Sequence, residues 1–183
     1  MPRHDPLTTD LLAHCETFQR QSWIRKGDSK AESATSYGIA SVYTPSNHRG
    51  KGYARQLLQL IHYLIALPDL LPPFPEAWGP KPDVGPKNAA FSVLYSGIGD
   101  KFYASCRQGE GSTSKDGWIR QPVTTRTWDI TGIETEDTPA GWEWLGVDDL
   151  TGVKTDAAES LWKQVSEADP VNGGLSFAIA PTW

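Results

Sequence analysis

Arg49-Gly50-Lys51-Gly52-Tyr53-Ala54 is the stretch whose residue types and spacing point most directly to chemistry. Its two glycines remove side chains where a ligand must approach the backbone closely, and they accept φ values that other residues avoid. Downstream, Ala54, Leu57, Leu58, Ile61, Leu64 and Ile65 recur at three- and four-residue spacing, which predicts a helix that Pro68 ends. The first turn of a helix exposes about four N–H groups without internal partners and the positive end of the dipole. Acidic residues usually occupy such a start, yet here the charges are Arg49, Lys51 and Arg55. An anionic group held mainly by main chain resolves the mismatch. A glycine turn that merely caps a helix leaves the three cations unexplained. The pattern is neither GxGxxG nor GxxxxGK[ST], so a dinucleotide fold and a P-loop are not indicated.

Other chemistry-bearing residues are sparse. His14, His48 and His62 show no triad spacing, and no serine sits on a nucleophile elbow. Cys15 and Cys106 are far apart without CxxC or His-rich context, which argues against a disulfide framework and against a metal site.

Around the glycine stretch, alternation and breakers predict the following order. Residues 14–24 form a strand, with Cys15, Phe18 and Trp23 on its buried side; Lys26–Ser36 is a hairpin loop; Tyr37–Thr44 is a strand closed by Pro45. The helix follows. Prolines 68, 72, 73, 75, 80, 82 and 86, with Phe74 and Trp78 among them, predict an ordered irregular loop. Ala89–Tyr95 is the next strand, then Asp100–Cys106 a short helix, and Arg107–Gly117 a polar loop or insertion. Further strands are predicted at Trp118–Arg120, Thr125–Ile130, Trp142–Leu145 and Leu175–Ala180, with a helix over Asp156–Glu167.

With 183 residues, 38% of them hydrophobic, the chain is long enough for one ordinary core. A net charge of −5 argues against nucleic acid as a partner, because no basic face displaces phosphate counterions. No apolar run approaches the ~20 residues of a membrane span, and the first residues lack a signal-peptide apolar region. A soluble, cytoplasmic protein without membrane partners is expected.

The stretch from Arg49 to Ala54 fits R-x-x-G-x-A, one form of the pyrophosphate loop of the GNAT acyltransferase superfamily. The segments Ala40–Pro45, Trp78-Gly79, Phe91–Gly99 with Phe102-Tyr103, Val147–Leu150 and Phe177–Thr182 resemble the fungal lysine N6-acetyltransferases of lysine catabolism. The resemblance covers roughly residues 12–183 and is weak between 107 and 140. It implies an α/β (α+β) fold with a mixed central sheet whose parallel strands splay around a CoA site. Residues 1–130 would be a partial acetyl-CoA-binding core and 131–183 an irregular C-terminal extension. The implied activity is transfer of acetyl from acetyl-CoA, without a metal, to a small primary amine, the ε-amine of free L-lysine first. Val42, Tyr43 and Thr44 would contact the pantetheine arm, and Arg49, Gly50, Lys51, Gly52, Tyr53 and Ala54 the pyrophosphate.

For catalysis the resemblance points to Tyr103 as the acid for the departing thiolate; the plainer reading makes it a partly buried packing aromatic. The base is open between Glu16 and a water chain. Relative to that family, few residues precede the first predicted strand, so a core without its first strand and helices, and with an exposed sheet edge, is expected. A CoA-binding or interaction protein without turnover, and a transferase acting on protein amines, are the alternatives.

Overall fold

The computed structural model describes residues 9–110, 117–121, 125–127, 129, 131, 141–168 and 174–181. Strands β1 (His14–Lys26) and β2 (Glu32–Tyr43) form an antiparallel hairpin. Both strands run further toward the turn than alternation predicts, so the connection is shorter than the expected loop over Lys26–Ser36. Helix α1 (Tyr53–Ile65) then carries the chain over to β3 (Ala89–Leu94), which pairs parallel with β2. The short helix α2 (Asp100–Ala104), the long helix α3 (Leu150–Glu167) and strand β4 (Leu175–Ile179) complete the described elements.

The sheet order is β3-β2-β1-β4, an α+β arrangement with one parallel and two antiparallel pairings. Tyr37 and Ile39 of β2 meet Leu58, Ile61 and Ile65 of α1, together with Ala89, Tyr103 and Cys106, in one buried cluster. This is the apolar stripe that the three- and four-residue spacing predicts, and its removal from water is the main force seating α1 on the sheet. On the other side the sheet curls until rings from its two outer strands meet, Phe91 of β3 lying 4.6 Å from Phe177 of β4. In the trough between them Ser22 and Ser36 are buried and share a 2.6 Å hydrogen bond, which satisfies two hydroxyls that would otherwise be costly to bury.

The proline-rich segment is irregular apart from single 3₁₀ turns at Pro68–Leu70 and Glu76–Trp78. Tyr63 of α1 anchors it, edge-on to both Phe74 and Trp78, with its hydroxyl donating to the Pro73 carbonyl. Gly85 has φ +117, and the Leu64 carbonyl oxygen lies 2.3 Å from where a β-carbon would stand. No other residue fits there.

Several expectations need correction. Phe18 is exposed rather than on the buried side of β1, where Ser22 and Ile24 are the buried residues. Strand β4 pairs with β1 from Ser22 to Lys26, so the outer edge of β1 is covered over that half rather than exposed throughout. Trp118–Arg120 and Trp142–Leu145 are not strands; Trp142 and Trp144 are among the most exposed large side chains. Of the predicted strand Thr125–Ile130, residues 125–127 and 129 are not strand and Trp128 and Ile130 lie outside the described residues. Helix α3 starts at Leu150 rather than Asp156. It packs through Trp162 on Trp23, and the Arg25 guanidinium donates to the carbonyls of Ser166 and Ala168 at its end. Most of the polar loop after Arg107 lies outside the described residues, but its two ends close on α2, with Gly117 N–H bonded to the Ala104 carbonyl. Among the described residues, no helix is long and apolar enough to cross a membrane.

Candidate functional site at the start of helix α1

Beyond Tyr43 the chain turns through Pro45 and one 3₁₀ turn, Ser46–His48, before reaching the glycines. Gly50 (φ +74) and Gly52 (φ +82) are left-handed, and a β-carbon on either would find no atom within 4 Å. Backbone conformation therefore selects glycine at both positions, and the space beside them is open. Gly52 is the N-cap of α1 and brings no side chain, and the first turn contains no acidic residue.

The Arg49 amide bonds to Ser46 and the Gln56 amide to Gly52. Between them, the N–H groups of Gly50, Lys51, Gly52, Tyr53, Ala54 and Arg55 bond to no protein group among the described residues. A run of unpaired donors at the positive end of a helix, flanked by the exposed side chains of Lys51 and Arg55, fits a diphosphate. Arg49 is also tied to the strand before the loop. Its Nε donates to the Thr44 carbonyl at 3.0 Å and its guanidinium stands 5.7 Å from the Tyr43 ring centre, fastening the loop to the end of β2. His48 packs edge-on to Tyr53, with Nε2 3.6 Å from the Asp10 carboxylate.

The strand that leads into this loop outruns its parallel neighbour. Pairing with β3 stops at Ile39↔Leu94, whereas β2 continues to Tyr43. The side of Ala40–Tyr43 that faced β3 is thus left without a strand opposite, and an extended ligand chain could pair there with main chain. On the β1 side the register slips between Glu16↔Ala40 and His14↔Tyr43, so β2 carries one extra residue. This is a β-bulge, and Ser41 within it is left-handed at φ +51. The bulge was not foreseen from sequence. Glu16 is exposed, and its Oε2 accepts a 2.5 Å hydrogen bond from the Ser41 hydroxyl. Val42 packs against the central cluster.

Tyr103, on α2, belongs to that same cluster and is only 7% exposed. Its ring lies edge-on to Phe102 and Trp118, and its hydroxyl makes no hydrogen bond among the described residues. Behind it, His62 of α1 is buried, stacked on Trp118 at 4.3 Å between ring centres. His62 Nε2 donates to the Cys106 carbonyl, and Nδ1 accepts from Gln108. Burial pushes the imidazole down to about 4, opposed by the bond to Cys106, so it is neutral and structural. The fold thus joins the glycine loop to the end of β2, brings Tyr103 into the cluster against which Val42 packs, and sets Glu16 beside the bulge. A cavity of about 900 Å³ lies toward the opposite end of the sheet, lined by residues such as Ser22, Thr35, Asn88 and Leu175.

A stretch of 48 residues is 40% identical to a protein of Yarrowia lipolytica (strain CLIB 122 / E 150) named lysine acetyltransferase. The stretch is 26% of this chain and 12% of that protein. No protein-family profile matches the chain, and no solved structure matches it.

Proposed function

We propose that this chain is an N-acetyltransferase of the GNAT type, moving acetyl from acetyl-CoA to a primary amine, with the ε-amine of free L-lysine as the first acceptor to test. One observation carries the reading: the unpaired amides from Gly50 to Arg55 stand at the start of a helix directly after a strand whose parallel neighbour has already ended. The partial likeness to a lysine acetyltransferase supports acetyl transfer and suggests the acceptor.

In this reading the amides of Gly50 to Ala54 bind the cofactor's pyrophosphate, with Lys51 adding charge and Arg49 holding the loop on β2. Main-chain groups of Val42, Tyr43 and Thr44 receive the pantetheine arm along the open side of β2. When bound, acetyl-CoA supplies an activated acyl group as a thioester. The Val42 N–H serves as the donor to the acyl oxygen, the Tyr103 hydroxyl gives a proton to the departing sulfur, and Glu16, directly or through water, takes the proton from the amine. A lysine ammonium, with pKa about 10.4, must lose its first proton before it can attack. Residues 1–130 would form the cofactor-binding core in this scheme and 131–183 an extension to it. The burial of Tyr103 favours a second reading, cofactor binding without turnover.

Isothermal titration with acetyl-CoA, followed by a thiol-release assay over a panel of amines that includes free lysine, separates these readings. Binding with lysine-dependent thiol release is the expected result. Binding without release from any amine selects the second reading, and absence of binding overturns both.

A further inference from the structure

We infer that Ser41 is a positioning residue, holding the Glu16 carboxylate in place as the proton acceptor of the proposed transfer; the inference rests on that reading of the site. Its basis is the bulge in β2. Glu16↔Ala40 is the last in-register pair before the slip, and the extra residue places the Ser41 hydroxyl on Glu16 Oε2 at 2.5 Å. Ser41 achieves this with φ +51, a conformation that costs a non-glycine residue about 1 kcal/mol and that glycine would adopt freely. A solvated serine–glutamate pair on a surface returns too little to explain why a side chain is kept there. An oriented carboxylate explains it, because strained backbone persists where the fixed geometry is used.

The location agrees. Glu16 sits one strand spacing, about 4.8 Å, from the stretch of β2 whose other side has lost β3. Ser41 is the residue immediately before Val42, whose amide is the proposed oxyanion donor. With Oε2 held by Ser41, Oε1 has no hydrogen bond among the described residues and is left to accept. Glu16 Oε1 takes the proton from the amine nitrogen as the N–C bond forms, and the electron pair of that N–H bond stays on nitrogen. The C–S electron pair departs with sulfur, which receives its proton from Tyr103. Solvent then restores Tyr103 and relieves Glu16, so the sum is amine plus thioester giving amide plus thiol.

The test is a double-mutant cycle on the whole chain, with thiol release as readout and acetyl-CoA affinity and melting temperature measured alongside. Ser41→Gly should lower kcat about tenfold, the scale of one hydrogen bond to a charged group, while KM for acetyl-CoA is unchanged. Because glycine suits the bulge, its melting temperature should be equal to wild type or higher. Glu16→Gln should lower kcat about a hundredfold or more. The double variant should be no slower than Glu16→Gln alone, because Ser41 acts only through that carboxylate. If wild type turns over and Ser41→Gly is equally fast, or the two losses multiply, the inference fails while the transferase reading stands. If wild type binds acetyl-CoA and releases no thiol with any amine, the transferase reading fails and takes the inference with it.

Discussion

His62 Nε2 donates a 3.1 Å hydrogen bond to the Cys106 carbonyl, so the last turn of α1 holds the segment just past α2 from the inside of the fold. The Trp118 ring stacked on the same imidazole ties the returning chain to it. Burial makes protonation of this ring costly even though the bond to Cys106 favours it, which gives the clamp a pH signature.

In the unfolded chain a histidine titrates near 6.5, whereas burial holds His62 at about 4 in the folded state. Between those values the unfolded chain binds a proton that the folded chain refuses. The contribution is therefore complete above pH 6.5 and falls away as pH drops toward 4. Its size over that window is about 3 kcal/mol. Urea unfolding of wild type and His62→Gln across pH 4–8 should give curves that converge toward the acid end. A constant gap between them would refute the assignment.

Gly52→Glu should abolish acetyl-CoA binding. It sets a carboxylate beside the unpaired amides and forces a left-handed φ of +82 on a residue that resists it. Gly52→Ala, which meets no neighbouring atom, should cost only about 1 kcal/mol of stability. Titration calorimetry on both variants checks this; undiminished affinity in Gly52→Glu removes the loop from the site.

Tyr103→Phe should reduce kcat about tenfold to a hundredfold and leave acetyl-CoA affinity within about twofold. Stability should not change, since the hydroxyl bonds to nothing among the described residues while the ring supplies the packing. Equal turnover in the variant would return Tyr103 to a packing role.

Gly85→Ala should destabilise the chain by about 2–4 kcal/mol, because the new methyl meets the Leu64 carbonyl at 2.3 Å and the φ of +117 is strained for alanine. A shift of the urea midpoint at constant slope is the expected result. An unchanged midpoint would mean that the proline-rich loop detaches from α1 without cost.

The β1–β2 hairpin, α1 and the loop before it were legible because each is written in a local period or in local turn chemistry. Trp142–Leu145 alternates as a strand does but pairs with no strand among the described residues, and alternation cannot report whether a partner is in reach. Helix α3 extends back through Thr151 and Gly152, residues that discourage a helix when read alone. The Ser41 bulge was hidden for a different reason. It is a property of the register between two strands, and neither strand announces it by itself.

Strand β4 completes the sheet by pairing Trp23 with Ala178, positions drawn from nearly opposite ends of the sequence. During synthesis the ribosome must therefore deliver all the residues between them before that flank of the hairpin can close. Until then the nascent hairpin offers a bare ladder of amides to neighbouring chains, which makes the interval before β4 docks the most dangerous one for aggregation.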